Sequence, residues 1–161
     1  MIRAEVRNRV WGPLLALGLS VVFAGTVLAT GASGFHATTL ARGTMDESVG
    51  FNTGSIKFQT KAAVDFVTVA IAIDAHGSSG WHNHPGVVLV TLQSGTLVQY
   101  DALCAPIVHR PGSSYTESGD DLVLVRNETD SPALVYATYL VAAGTTGLRI
   151  DQPQPATCAK S

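Results

Sequence analysis

The chain has 161 residues, of which 46% are hydrophobic and 14% charged, and a formal net charge of −2. That length points to one domain, and the few scattered Lys and Arg exclude the basic stripe of a nucleic-acid binder. No repeat of solenoid period and no low-complexity tract is present, which excludes an array or a disordered linker as the main architecture.

In chain order, Arg3, Arg7 and Arg9 open the sequence with Glu5 as the only early acid, and residues 11–29 carry no charge. Small residues follow at 29–34. Positive, then apolar, then small is the order of a secretory signal peptide, so residues 1–34 are expected to be one. The uncharged stretch 10–35 is also long enough to span a bilayer, which makes a retained hydrophobic anchor helix the rival reading. Either way the arginines stay inside, and the rest of the chain lies outside the cytoplasm. Cys104 and Cys158 form no C-x-x-C, and in an exported domain an even count implies one disulfide; two free thiols are the alternative.

After 35 the sequence is mixed and polar, with a short strand predicted at 38–41 and then a loop. Residues 56–59 alternate and read as a short strand. Residues 64–73 are β-branched and nearly all apolar, with Asp65 and Thr68 as the polar members, so they read as a long strand buried on much of both faces. A Gly/Ser loop occupies 74–80. Strands are predicted at 86–92, 96–100, 105–110, 121–126 and 133–142, with turns at 93–95 and 127–132. No segment after 35 carries a 3.6-residue period. Roughly eight short strands punctuated by Gly and Pro imply an antiparallel sandwich or barrel, with a jelly roll as the natural closure. The expected organisation is a barrel over 35–148 and a Pro-rich tail over 149–161.

The stretch Gly80-Trp81-His82-Asn83-His84-Pro85-Gly86 leads into one of these strands. Side chains alternate along a strand, so His82 and His84 project from one face. Paired imidazoles on one face are half of a transition-metal site. Over about residues 60–142 these features resemble the cupin superfamily. Its first motif has a His-x-His pair, a glutamate and a closing glycine, and His82, His84 and Gly95 stand in that register. Gly112 and Asn127 stand at the two ends of its second motif. The resemblance implies an all-β, double-stranded β-helix or jelly-roll barrel, with a divalent metal (Fe, Mn, Ni, Cu or Zn) on three histidines and one glutamate. His82 and His84 match the first two ligands. The glutamate position holds Val88 and the third histidine position holds Val123. Three further motif positions also depart: Ser118 for proline, Asp120 for a glycine and His76 for the first glycine.

Two imidazoles supply no negative charge, and burying a divalent ion without one is costly. Affinity is therefore expected to fall well below that of a complete cupin unless another side chain substitutes. Glu117, Asp120, Asp121, Tyr115 and His109 lie nearby, and Glu117 is the foremost, because Tyr115, Glu117 and Val123 would share one hairpin. The plainer alternative makes the acids solvated turn residues and the histidines a hydrogen-bonded pair. Trp81, Val88, Val90, Tyr115 and Val123 are expected to line a ligand pocket, since Val88, Val90 and Leu92 share the phase of His84.

Three functional readings follow: an exported barrel that binds a small molecule, a metal-dependent enzyme of dioxygenase or isomerase type with no catalytic residue assigned, and a module pairing into a homodimer through Val87, Leu89 and Thr91. Asn127-Glu128-Thr129 fits a glycosylation acceptor, but it stands where the fold needs a turn asparagine.

Overall fold

The computed structural model describes residues 29–158. The expected signal or anchor segment lies almost wholly outside the described residues, and among those residues no helix is long and apolar enough to cross a membrane. The described chain forms β1 (Ser33–Met45), β2 (Gly50–Asn52), β3 (Lys57–Gln59), β4 (Val64–Ser78), β5 (His82–Asn83), β6 (Val87–Ser94), β7 (Leu97–Tyr100), β8 (Pro106–His109), β9 (Ser114–Ser118), β10 (Leu124–Arg126), β11 (Ala133–Ala142) and β12 (Ile150–Asp151). A 3-10 turn at Ala156–Cys158 follows.

The core comes from alternation on three long strands. Val67, Val69, Ile71 and Ile73 of β4 point inward, as do Val88, Val90 and Leu92 of β6. β11 lies between them, and its inward residues share their phase: Val135 pairs with Ile71 and Leu92, Ala137 with Val69 and Val90, Tyr139 with Val67 and Val88. A one-residue slip would turn all of these to water, so the register is strongly fixed. Each fully buried aliphatic side chain contributes about 1.5–3 kcal/mol.

The strands run in the order β8-β7-β10-β4-β11-β6-β9, with β1 also on β4. The row bends into a nearly closed barrel at the β10–β4 junction, where Arg126 opposite Ser78 is the one registered pair. Asn127 holds this corner. Its side-chain amide donates to the carbonyls of Ile73, Asp74 and Ser131, and its oxygen accepts from Thr129. It is 1% exposed, so the turn role accounts for it and no glycan could attach to the folded side chain. Gly95 closes the β6–β7 turn at φ +84°, where a Cβ would lie 2.6 Å from Ala133. That is a position for glycine alone.

Three elements differ from the sequence reading. β1 runs thirteen residues rather than a few at 38–41, because it is zipped along the whole of β4 from Ser33–Ser78 to Met45–Val64. The expected loop at 74–80 is mostly β4 itself, held by the same pairing. Tyr115 and Glu117 do not share a hairpin with Val123: they stand on β9 and pair with β6, whereas Val123 forms a bridge with His82. Near the far end of β1, buried Asp65 accepts from Thr44, Arg42 and the Gly144 amide, which together hold its carboxyl down to about 2, Thr44 first.

The chain after 148 is not free. β12 pairs with β5, Ile150 opposite Asn83 and Asp151 opposite His82. Cys158 then forms the expected disulfide with Cys104, Cα–Cα 5.5 Å.

Candidate metal centre

β5 is short, yet it is held on both sides. The His82 amide donates to the Val123 carbonyl and the Val123 amide to that of His82, each at 2.9 Å, while β12 covers the other edge. This fixes the entry of His82-Asn83-His84 into the barrel. His82, His84 and Glu117 are each 4–5% exposed. Glu117 arrives from β9 directly opposite Val88. Opposed residues of antiparallel strands share a face. The carboxylate missing from position 88 is therefore delivered to the same patch of wall from the neighbouring strand.

The three side chains converge. His84 Nε2 lies 2.9 Å and His82 Nε2 3.8 Å from Glu117 Oε2, and one ligand atom from each residue falls within 4.8 Å of the others. His82 Nδ1 lies 2.9 Å from the Gly80 carbonyl and His84 Nδ1 2.7 Å from that of Leu148. A carbonyl only accepts, so each Nδ1 carries hydrogen and each Nε2 is turned toward Glu117. At 2.9 Å His84 Nε2 and Glu117 Oε2 are within hydrogen-bond distance. Burial, offset in part by Glu117, lowers His82 to about 4, so it is a neutral ligand at ordinary pH. Burial and then Glu117 push Tyr139 up to about 12 and Tyr115 further, which keeps both phenols protonated.

A polar chain continues behind Glu117. Gln99 Nε2 donates to Glu117 Oε1 at 3.3 Å, and Gln99 Oε1 accepts from His109 Nε2 at 3.0 Å. All three residues are buried, and the His109 ring stacks on Tyr115 with centroids 3.9 Å apart. The direction of these bonds turns the Gln99 NH₂ group toward Glu117 Oε1.

Of the residues predicted to line a pocket, Val88, Val90 and Tyr115 border the cavity beside His82, His84 and Glu117. Trp81 and Val123 do not. Trp81 is buried against a separate cleft of about 470 Å³ that also contains the disulfide, and Val123 faces a third cavity. The expected room for a small molecule inside the barrel is not there. The cavity at the site is about 30 Å³, because Ile71, Ile73, Val135 and Tyr139 fill the interior. That holds an ion with about one water, not an organic molecule. Asp120 and Asp121 are exposed turn acids, and Asp121 accepts from Ser118. Sequence reasoning missed Gln99, Tyr139 and Leu148. Only Gln99 left a signal, as a polar residue in the inward phase of buried Leu97.

No protein-family model matches the chain, and no curated protein sequence matches it. Its fold is similar to that of several solved structures. The polyketide cyclase RemF from Streptomyces resistomycificus aligns at 10% identity and TM-score 0.50, over 73% of this chain and 77% of that one. A cupin domain from Bordetella pertussis aligns at 17% identity and TM-score 0.47, over 71% and 98%. A cupin 2 conserved barrel domain protein from Salinispora arenicola aligns at 17% and 0.48, over 68% and 76%. At these identities the likeness concerns the fold alone, an all-β, nearly closed barrel.

Proposed function

We propose that this cupin-fold chain is an exported protein that holds one divalent transition-metal ion on His82, His84 and Glu117. The observation behind this reading is the tautomer lock: two backbone carbonyls hold the Nδ1 hydrogens, leaving both Nε2 atoms directed at one carboxylate. Two imidazoles and a carboxylate suit Zn²⁺ or Fe²⁺, with positions left for further ligands. A bound ion would polarise an oxygen atom placed on it, which is the chemistry of the enzymatic alternative, a dioxygenase- or isomerase-type cupin. Export is supported by the signal-like N-terminus and by the disulfide, which oxidising compartments favour. The outer face of β6 and β11 carries Val87, Leu89, Thr91, Tyr136 and Thr138 without a charge, and this would be the face through which two copies pair. Light scattering that finds only monomer removes that part of the reading.

Titration of the metal-free chain with Zn²⁺ and Fe²⁺ tests the centre. One ion per chain is expected, with the metal taking the place of the contact between His84 and Glu117. His84→Ala and Glu117→Gln are each expected to lower affinity by about a hundredfold or more, since each removes one of three ligands. Binding unaffected by Glu117→Gln sinks the assignment.

A further inference from the structure

The barrel corner where β10 meets β4 has an outer surface as well as a buried one. Ser33 on β1 stands opposite Ser78 on β4, and Ser78 stands opposite Arg126 on β10. Leu124, on the same strand as Arg126, stands opposite Tyr100 on β7. Opposed residues share a face, and so do residues two apart on one strand. Four strands therefore present two hydroxyls, a guanidinium, an aliphatic chain and a phenol on one side, away from buried Val125. All five residues border the cleft of about 470 Å³. The C-terminal strap forms its other wall. Gln154 and Cys158 line the cleft, Cys158 is bonded to Cys104, and Thr157 donates to the Ala102 carbonyl.

The polar groups on this surface are donors that the fold leaves unused. Arg126 is the one charged residue lining the cleft, and its side chain makes no hydrogen bond or ion pair among the described residues. Glu128, the next acid in the chain, accepts from the Tyr100 hydroxyl at 2.7 Å instead. Ser78 Oγ accepts from the Gly80 amide, so its own hydrogen is still to be given. The Ser33 hydroxyl makes no bond among the described residues. We infer that this cleft binds a small organic carboxylate, its anionic group on Arg126 beside the hydroxyls of Ser33 and Ser78, its apolar body among Trp81, Tyr100 and Leu124. A carboxylate meets two parallel N–H groups of a guanidinium with matching geometry. One positive charge also balances a monoanion, whereas a phosphate monoester near neutral pH carries about two negative charges. The volume lies within the range of about 300–1,000 Å³ typical of small-molecule sites, unlike the space of about 30 Å³ at the metal centre. His82, His84 and Glu117 do not line this cleft, so the inference stands apart from the metal reading.

The test uses the full oxidised chain, metal-free and with Zn²⁺, and calorimetry with 2-naphthoate, its neutral analogue 2-naphthamide and 2-naphthyl phosphate. Naphthoate is expected to bind at least about tenfold more tightly than the amide, reflecting the charge-assisted pair. Arg126→Gln, at an exposed position, is expected to erase that preference. Arg126→Lys should keep part of it, as charge remains and the planar fork is lost. Ser33→Ala should weaken naphthoate by about threefold, the loss of one neutral hydrogen bond. Equal binding of acid and amide by the wild-type chain, or binding of neither, overturns the inference without needing any variant to fold. Tighter binding of the phosphate overturns the carboxylate assignment. Naphthoate that binds only in the presence of Zn²⁺ would sit at the metal centre and overturns the cleft as its site, whereas a chain that refuses Zn²⁺ yet prefers naphthoate loses the metal reading alone.

Discussion

At the scale of single residues, Gln99 is the connection on which Glu117 depends. Its amide is held in one orientation because His109 Nε2 donates to its oxygen, leaving the NH₂ group to face the carboxylate. Gln99→Leu removes both bonds at similar volume and strands a buried donor and a buried acceptor. The expected cost is about 1–3 kcal/mol of stability, with metal affinity down about tenfold. Urea unfolding and a Zn²⁺ titration measure the two; affinity unchanged at reduced stability would make Gln99 purely structural. His82 sets a pH window of its own. Its folded pKa lies near 4 against 6.5 in the unfolded chain. Between those values the unfolded chain holds more protons, so stability is fully present above 6.5 and is lost as pH falls toward 4, by at most about 3 kcal/mol. Asp65 adds a second loss below that, from 3.8 toward 2. Metal-free melting followed from pH 7 to 3 should show the first decline, and His82→Gln should flatten it. The histidine pair was legible in the sequence because two-residue spacing alone puts both rings on one face. Glu117 was legible only as a candidate, since its face depends on the long-range pairing with Val88. Gln99 reads locally as the polar side of a strand, and its burial is decided by a neighbour ten residues away.

Among elements, legibility followed alternation. β4, β6 and β11 bury every second residue against one another, and that period is written in the chain. β1 and β9 are different. Ser33–Met45 is largely exposed and Ser114–Ser118 is mostly polar, so neither has a hydrophobic pattern to announce it; both are strands because a long partner offers unpaired backbone groups. The C-terminal segment carries no strand pattern for the same reason: β12 is two residues long and exists only against β5. What secures it is the disulfide to Cys104, which closes a loop across 54 positions. By chain entropy that cross-link contributes about 4 kcal/mol. Reduction, or the pair Cys104→Ser and Cys158→Ser, is expected to lower stability by about that amount. Because β12 braces His82 and the preceding residues brace His84, the same change should also weaken Zn²⁺ binding. Loss of stability with metal affinity intact would show that the strap stays in place without its anchor.

For the whole molecule, the metal ligands come from different halves of the barrel. Glu117 stands on β9, the terminal strand on one side, while His82 is bridged to Val123 at the start of the segment leading into β10, in the other half. Two backbone bonds already cross this seam, the His84 amide to the Gly119 carbonyl and the Gly119 amide to that of Gly86. An ion on the three side chains would add a clamp between the halves, and an unfolded chain could not reproduce it. Metal should therefore raise the stability of the entire barrel rather than of one loop. At free Zn²⁺ a hundredfold above the dissociation constant, the expected gain is about 2.7 kcal/mol. Metal ligands must be free of protons to bind an ion, so the gain should be larger at pH 7.5 than at pH 5.5. Thermal unfolding with Zn²⁺ and with a chelator, at both pH values, provides the measurement. A midpoint that does not respond to the ion would mean that the seam is closed by its backbone bonds alone. A midpoint that rises equally in His84→Ala would place the ion elsewhere on the chain.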